Sequence, residues 1–69
     1  MTKKQALIIL NDEVSKRRNI VEVNDKTMRY DNDVIIADIA IKRYDYIACA
    51  DLIITIKNGR IDESFIEYT

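Results

Sequence analysis

The sequence has no histidine, no proline and no tryptophan, and only one cysteine and one glycine. Each of these absences excludes a class of chemistry. Without histidine there is no Ser-His or Cys-His pair to activate a nucleophile. Without histidine or a second cysteine there is no ligand set for a structural zinc ion, and a single cysteine rules out an intramolecular disulfide. Cys49, flanked by Ala48 and Ala50, reads as a small buried or half-buried hydrophobe. Gly59 as the sole glycine excludes a Gly-rich phosphate loop and a dinucleotide-binding fingerprint. The longest apolar run near the start, Ala6–Leu10, is too short for a signal-peptide core or a membrane span. The expectation is a soluble, cytoplasmic protein with no cofactor, no metal and no membrane association.

Charge of one sign is also lacking. Eleven basic residues face 12 acidic ones, for a net charge of −1, which fits neither a nucleic-acid-binding arm nor an acidic mimic of nucleic acid. What is present is a hydrophobic fraction of 48%, well above that of disordered chains. Isoleucine dominates and Lys, Asp and Asn are plentiful, the bias of AT-rich coding found in low-GC bacteria and their phages. Sixty-nine residues make one domain, 1–69. A chain this short buries only about 60% of its unfolded surface, so close packing or self-association must supply the rest of its stability.

Thr2-Lys3-Lys4-Gln5 matches a capping box, and Ala6, Leu7, Leu10 and Val14 recur at helical spacing behind it. A helix is predicted over about residues 3–18. Asp12–Lys16 and Glu13–Arg17 are favourable i,i+4 pairs, Lys16–Arg18 suit the negative end of the dipole, and Asn19 suits the position just past the end. Ile20–Val23 reads as a short strand, Asn24–Lys26 as a turn, and Thr27–Tyr30 as a returning arm.

Asp33–Ala50, DVIIADIAIKRYDYIACA, is the stretch whose partner decides the fold. As a helix it gathers Asp38, Lys42, Asp45 and Cys49 on one wedge and is apolar around most of the rest, with Asp31–Asp33 as an N-terminal cap. As a strand it puts Ile35, Ala37, Ile39 and Ile41 on one face. No turn chemistry stands between Val34 and Thr55, and this favours the helix. Leu52–Lys57 reads as a strand, and Asn58-Gly59 is the strongest hairpin signal in the chain. It sets Lys57 against Arg60, Ile56 against Ile61, Leu52 against Phe65 and Ile54 against Glu63. Arg60–Tyr68 returns as a strand; Asp62–Tyr68 also reads as a short terminal helix. The predicted fold is α+β, in the order α-β-β-α-β-β, with a mostly antiparallel sheet and two helices on one face. The alternative is one N-terminal helix on an antiparallel β-meander. The segments Arg29-Tyr30-Asp31/Ala37-Asp38-Ile39 and Arg43-Tyr44-Asp45/Ala50-Asp51-Leu52 echo each other, but their halves fall on different predicted elements.

Asp31, Asp33 and Asp38 lack the glycine and ligand order of a calcium loop, and capping or turn roles account for Asp31 and Asp33. Asp62 and Glu63 are adjacent, so on a strand they point apart and make a poor acid–base pair. These readings converge on a non-enzymatic protein-interaction module, a small regulator or inhibitor, phage origin being one source of its composition. It is expected to bind another protein and to form a homodimer closed by Asp33–Ala50 or by the Arg60–Tyr68 edge. The expected contact residues are Lys16, Arg17, Arg18, Arg43, Tyr44, Tyr46 and Tyr68, because Arg and Tyr join contact area to a polar tip. The alternative is a nucleic-acid-binding regulator using the Lys16–Arg18 cluster.

Overall fold

The computed structural model describes residues 1–68 and shows one helix, α1 (Lys3–Ser15), followed by four strands: β1 (Ile20–Tyr30), β2 (Val34–Lys42), β3 (Ile47–Lys57) and β4 (Arg60–Tyr68). The strands form an antiparallel meander in the order β1-β2-β3-β4. This is the one-helix alternative; the second helix and the α-β-β-α-β-β order are overturned.

The physical reason lies in Asp33–Ala50. Wound as a helix, this stretch would scatter isoleucines around the whole circumference, where one thin sheet can cover only one side. Extended, it sorts them. Ile35, Ala37, Ile39 and Ile41 on β2 are buried, as are Ala50, Leu52, Ile54 and Ile56 on β3. The two strands pair residue for residue from Val34–Thr55 to Lys42–Ile47. The reversal between them, Arg43–Tyr46, contains neither Gly nor Asn; a backbone bond from the Arg43 N–H to the Tyr46 carbonyl closes it at 2.8 Å. The Ala-Asp-Ile and Ala-Asp-Leu echo falls here: Ala37, Asp38 and Ile39 lie directly opposite Leu52, Asp51 and Ala50.

Two turn signals are used differently from expectation. Asn24–Lys26 does not reverse the chain. β1 runs through it, and the pairing jumps from Asn24–Asp38 to Arg29–Ile36, so the strand bows outward over Asp25–Met28. Asp31 caps no helix. Its Oδ1 accepts from the N–H groups of Asp33 and Val34 at 2.7 and 3.0 Å, making the β1–β2 reversal. The Asn58-Gly59 turn forms as expected, with φ of +54° and +74° and with the Lys57–Arg60 and Ile56–Ile61 pairs.

Beyond that turn the expected register is overturned. Thr55 pairs with Glu63 while Ile56 pairs with Ile61, so Asp62 is an extra residue on β4. One inserted residue exchanges the faces of everything after it. Leu52 therefore lies opposite Ile66 and Ile54 opposite Ser64, while Phe65 pairs with Ile53 and points the other way.

The capping box closes the start of α1. Gln5 N–H donates to Thr2 Oγ1 at 3.1 Å, and Thr2 N–H donates to Gln5 Oε1 at 2.9 Å. The helix is shorter than expected, ending at Ser15, because residues 16–19 must carry the chain to β1. There the Asn19 carbonyl accepts from the Lys42 N–H at 2.8 Å. Ala6 and Leu10 are fully buried against the sheet, with Ile9, Val14, Val23, Met28, Ile61 and Ile66 around the core. The helix covers one sheet face and leaves the other bare.

Candidate interaction surface

Four of the seven expected contact residues meet at one end of the sheet. The β2–β3 loop carries Arg43, Tyr44 and Tyr46, and the pairing of Ala50 with Tyr68 brings the end of β4 to the same place. Arg43 Nη1 donates to the Tyr68 hydroxyl at 2.8 Å, and its guanidinium carbon lies 4.6 Å from the Tyr68 ring centroid. Hydrogen bonding to the Tyr46 side chain, then the field of Tyr68, raises the Arg43 pKa above its ordinary value. The cation is held against Tyr68 by the hydrogen bond and the ring contact. Tyr44 beside it is 102% exposed, Tyr46 57% and Ile47 64%.

The other three expected residues do not form a free cationic cluster. Lys16 pairs with Asp12 at 3.2 Å. Arg17 lies 3.7 Å from Glu13, and its Nη2 donates to the carbonyl and hydroxyl oxygens of Ser64 at 2.8 and 3.0 Å. Arg18 is exposed, past the end of the helix. The Arg17 contact protects an edge. Glu63 turns its backbone toward β3, bonding Thr55 Oγ1 at 3.0 Å, so Ser64 turns its carbonyl outward, where an unpaired strand edge invites other chains. Arg17 covers it. At the opposite edge, the bow in β1 breaks the regular row of backbone groups.

A second surface lies outside the residues that the sequence singles out. On the bare sheet face, Ile36, Ile53 and Phe65 form a row across β2, β3 and β4, with Arg29 at its β1 end. One pair further along, Asp38, Asp51 and Glu67 form a parallel row. Asp38 accepts a 2.7 Å hydrogen bond from the Thr27 hydroxyl. That bond, with one from Asp51, pulls Asp38 below the ordinary carboxylate value. Partial burial, with Asp38 alongside, pushes Asp51 up. The two therefore share a proton over part of the acid range, Asp51 holding it. The sequence signal is the period-two placing of Asp38 and Asp51 out of phase with the buried isoleucines, legible only once both stretches are read as strands. Cys49 also lies on this face and is exposed, not buried.

Among the described residues no group of three or more His, Cys, Asp or Glu converges to hold a metal ion, and no helix is long and apolar enough to cross a membrane. No family model, curated protein or solved structure matches the chain.

Proposed function

We propose that this protein is a non-enzymatic protein-interaction module, a small regulator or inhibitor that binds another protein through the Tyr-rich end of its sheet and self-associates. One observation carries this reading: Tyr44 and Tyr46 on a short loop, and Ile47 at the start of β3, stand exposed beside an Arg43 locked against Tyr68. Exposed aromatics pre-positioned around an arginine match the composition of interface hot spots. Little side-chain freedom remains to be lost at Arg43 on binding. The composition supports the non-enzymatic part, since a chain without histidine has few routes to activate a nucleophile.

The test compares affinity capture by the wild-type chain with capture by a Tyr44→Ser/Tyr46→Ser variant. A protein retained by the first and lost by the second supports the reading; equal retention, or none, refutes it. Sedimentation velocity over a hundredfold concentration range tests self-association, and a monomer throughout removes it. The nucleic-acid alternative is weakened by the internal pairing of Lys16 and Arg17. It stands only if the chain shifts a duplex or single strand in a way that fades steeply with salt.

A further inference from the structure

We infer that the bare sheet face is a second docking surface, and that its occupant is a cationic amphipathic segment of a partner protein, with a stripe of apolar side chains beside a stripe of Lys or Arg. The inference is independent of the Tyr-rich end, because it rests on different residues of opposite charge.

The face has a pattern. Ile36, Ile53 and Phe65 make one row, and Asp38, Asp51 and Glu67 make the next, separated by about 7 Å, two residues along a strand. Ile36 and Ile53 are half-buried and Phe65 is 44% exposed, so the apolar row has water on one side only and gains by being covered. The acidic row is costly to the isolated fold. Like charges directly opposite one another in a sheet are destabilising, and Asp51 is pushed up by partial burial first, then by its hydrogen bond with Asp38 and the charge of Asp38. The cations near the rows stand on the β1 side: Arg29 lies beside Ile36 and its charge lowers both Asp38 and Asp51, and Lys26 lies in the bow next to Thr27. The β3 and β4 members, Asp51 and Glu67, have no cation paired opposite them in the sheet. Lys42, Lys57 and Arg60 lie at the strand ends. A partner that lays apolar groups on the first row and cations on the second removes both costs together.

Charge complementarity selects this occupant over a second copy of the chain. With the apolar rows of two copies stacked, a two-fold axis along the strands sets the acidic row over itself. An axis across the strands sets it over Val34, Thr55 and Glu63. Neither arrangement supplies a cation, and burying unpaired carboxylates is expensive. The carboxylates are strung across three strands without converging, which suits a line of separate cations better than one metal ion.

The experiment is calorimetric titration of the whole chain at pH 7 with an 18-residue amphipathic Lys/Leu peptide, with a Glu/Leu peptide of the same pattern as control. Saturable 1:1 binding of the Lys/Leu peptide alone is expected, weakening with added salt. Amide-resonance changes should concentrate on Ile36, Asp38, Asp51, Ile53 and Phe65 and spare the helix. Asp51→Asn/Glu67→Gln should weaken binding by roughly tenfold, whereas Asp12→Asn/Asp62→Asn, equal in charge change, should not. Equal binding of both peptides, equal weakening by both double variants, or resonance changes confined to the Tyr-rich end would each overturn the proposal. A dimer at pH 7 that Ile53→Ser dissociates would overturn it in favour of a second copy.

Discussion

Arg17 and Ser64, 47 residues apart in sequence, tie the end of the helix to the outer edge of the sheet through bonds of 2.8 and 3.0 Å. A bond from a charged donor contributes about 1.5–3 kcal/mol, reduced here because the Arg17 side chain is 27% exposed. Arg17→Ala is therefore expected to cost about 1–2 kcal/mol in urea denaturation, and to uncover the β4 edge so that the chain associates as concentration rises. Arg18→Ala, which removes the same charge from an exposed position, should stay within about 0.5 kcal/mol of wild type. Equal costs for the two variants would show that the Ser64 contact is energetically idle.

Gly59 isolates a purely conformational effect. Its φ is +74° and a methyl group there would meet nothing within 4 Å, so Gly59→Ala introduces no clash and only the penalty of a left-handed alanine, about 1 kcal/mol. Asn58→Gly should be nearly neutral, since its φ of +54° suits glycine. Chemical denaturation of both variants checks this; a Gly59→Ala variant as stable as wild type would mean that the turn can adopt another type.

The same locality explains what can be read from the sequence. Capping and the Asn-Gly turn depend on residues two to four apart, and both appear as read, at Thr2–Gln5 and at Asn58–Gly59. The central stretch misleads because helix and strand both bury a run such as VIIADIAI. The choice falls to the partner surface: β3 offers β2 an unbroken ladder, from Val34–Thr55 to Lys42–Ile47. The reversal at Arg43–Tyr46 has no Gly, Asn or Pro, and Asp45 alone among tyrosines is a weak signal of a turn. The Asp62 bulge is invisible in the sequence because two continuous strands of suitable composition fit either register; half-burying Ile66 and Ser64 on the helix side, and leaving Glu63 and Glu67 exposed, decides it. Of the expected contact residues, Arg43, Tyr44, Tyr46 and Tyr68 converge because the loop and the end of β4 share one end of the sheet. The sequence pairs Arg17 only with Glu13, because its second acceptor, Ser64, is remote.

The bulge has a mechanical consequence. Deleting Asp62 forces β4 into the alternating register, driving Glu63, Phe65 and Glu67 toward the helix and Ser64 and Ile66 away from it. Burying carboxylates under the helix is prohibitive, so the deletion variant should lose β4 pairing or fail to fold. Asp62→Ala keeps the residue count and should remain within about 0.5 kcal/mol of wild type. Amide hydrogen exchange on Phe65–Glu67 distinguishes the cases: loss of protection in the deletion alone is the expected result.

The two sheet faces should respond differently to truncation. Leu52 is fully buried beneath the helix and Phe65 is 44% exposed on the other side. Leu52→Ala should cost about 2–5 kcal/mol. A chain of this length has roughly 3–10 kcal/mol in total, so that substitution should remove a large share of its stability and shift the urea midpoint well down. Phe65→Ala, though the larger truncation, should cost about 1 kcal/mol or less. Comparable losses on urea denaturation would mean that the bare face is covered in solution, by a second copy or otherwise.

Asp51 separates stability from binding. Its pKa is raised in the folded chain, so between the ordinary carboxylate value and that raised value the folded state holds more protons than the unfolded state. Over that window stability falls as pH rises. Asp38 is shifted the other way and loses stability as pH falls below the ordinary range. Asp51→Asn keeps the shape, donates an N–H to Asp38 and removes the like charge. At pH 7 it should raise Tm by about 2–4 °C, and the fall in stability above the ordinary carboxylate value should flatten. The same substitution should weaken the cationic peptide if the bare face is a docking surface. A variant that is more stable and yet binds less would mean that the repulsion between Asp38 and Asp51 is tolerated in the free fold because a partner relieves it. A variant that is less stable at every pH would mean that Asp51 holds the sheet together through its hydrogen bond, and that the acidic row exacts no cost for a partner to remove.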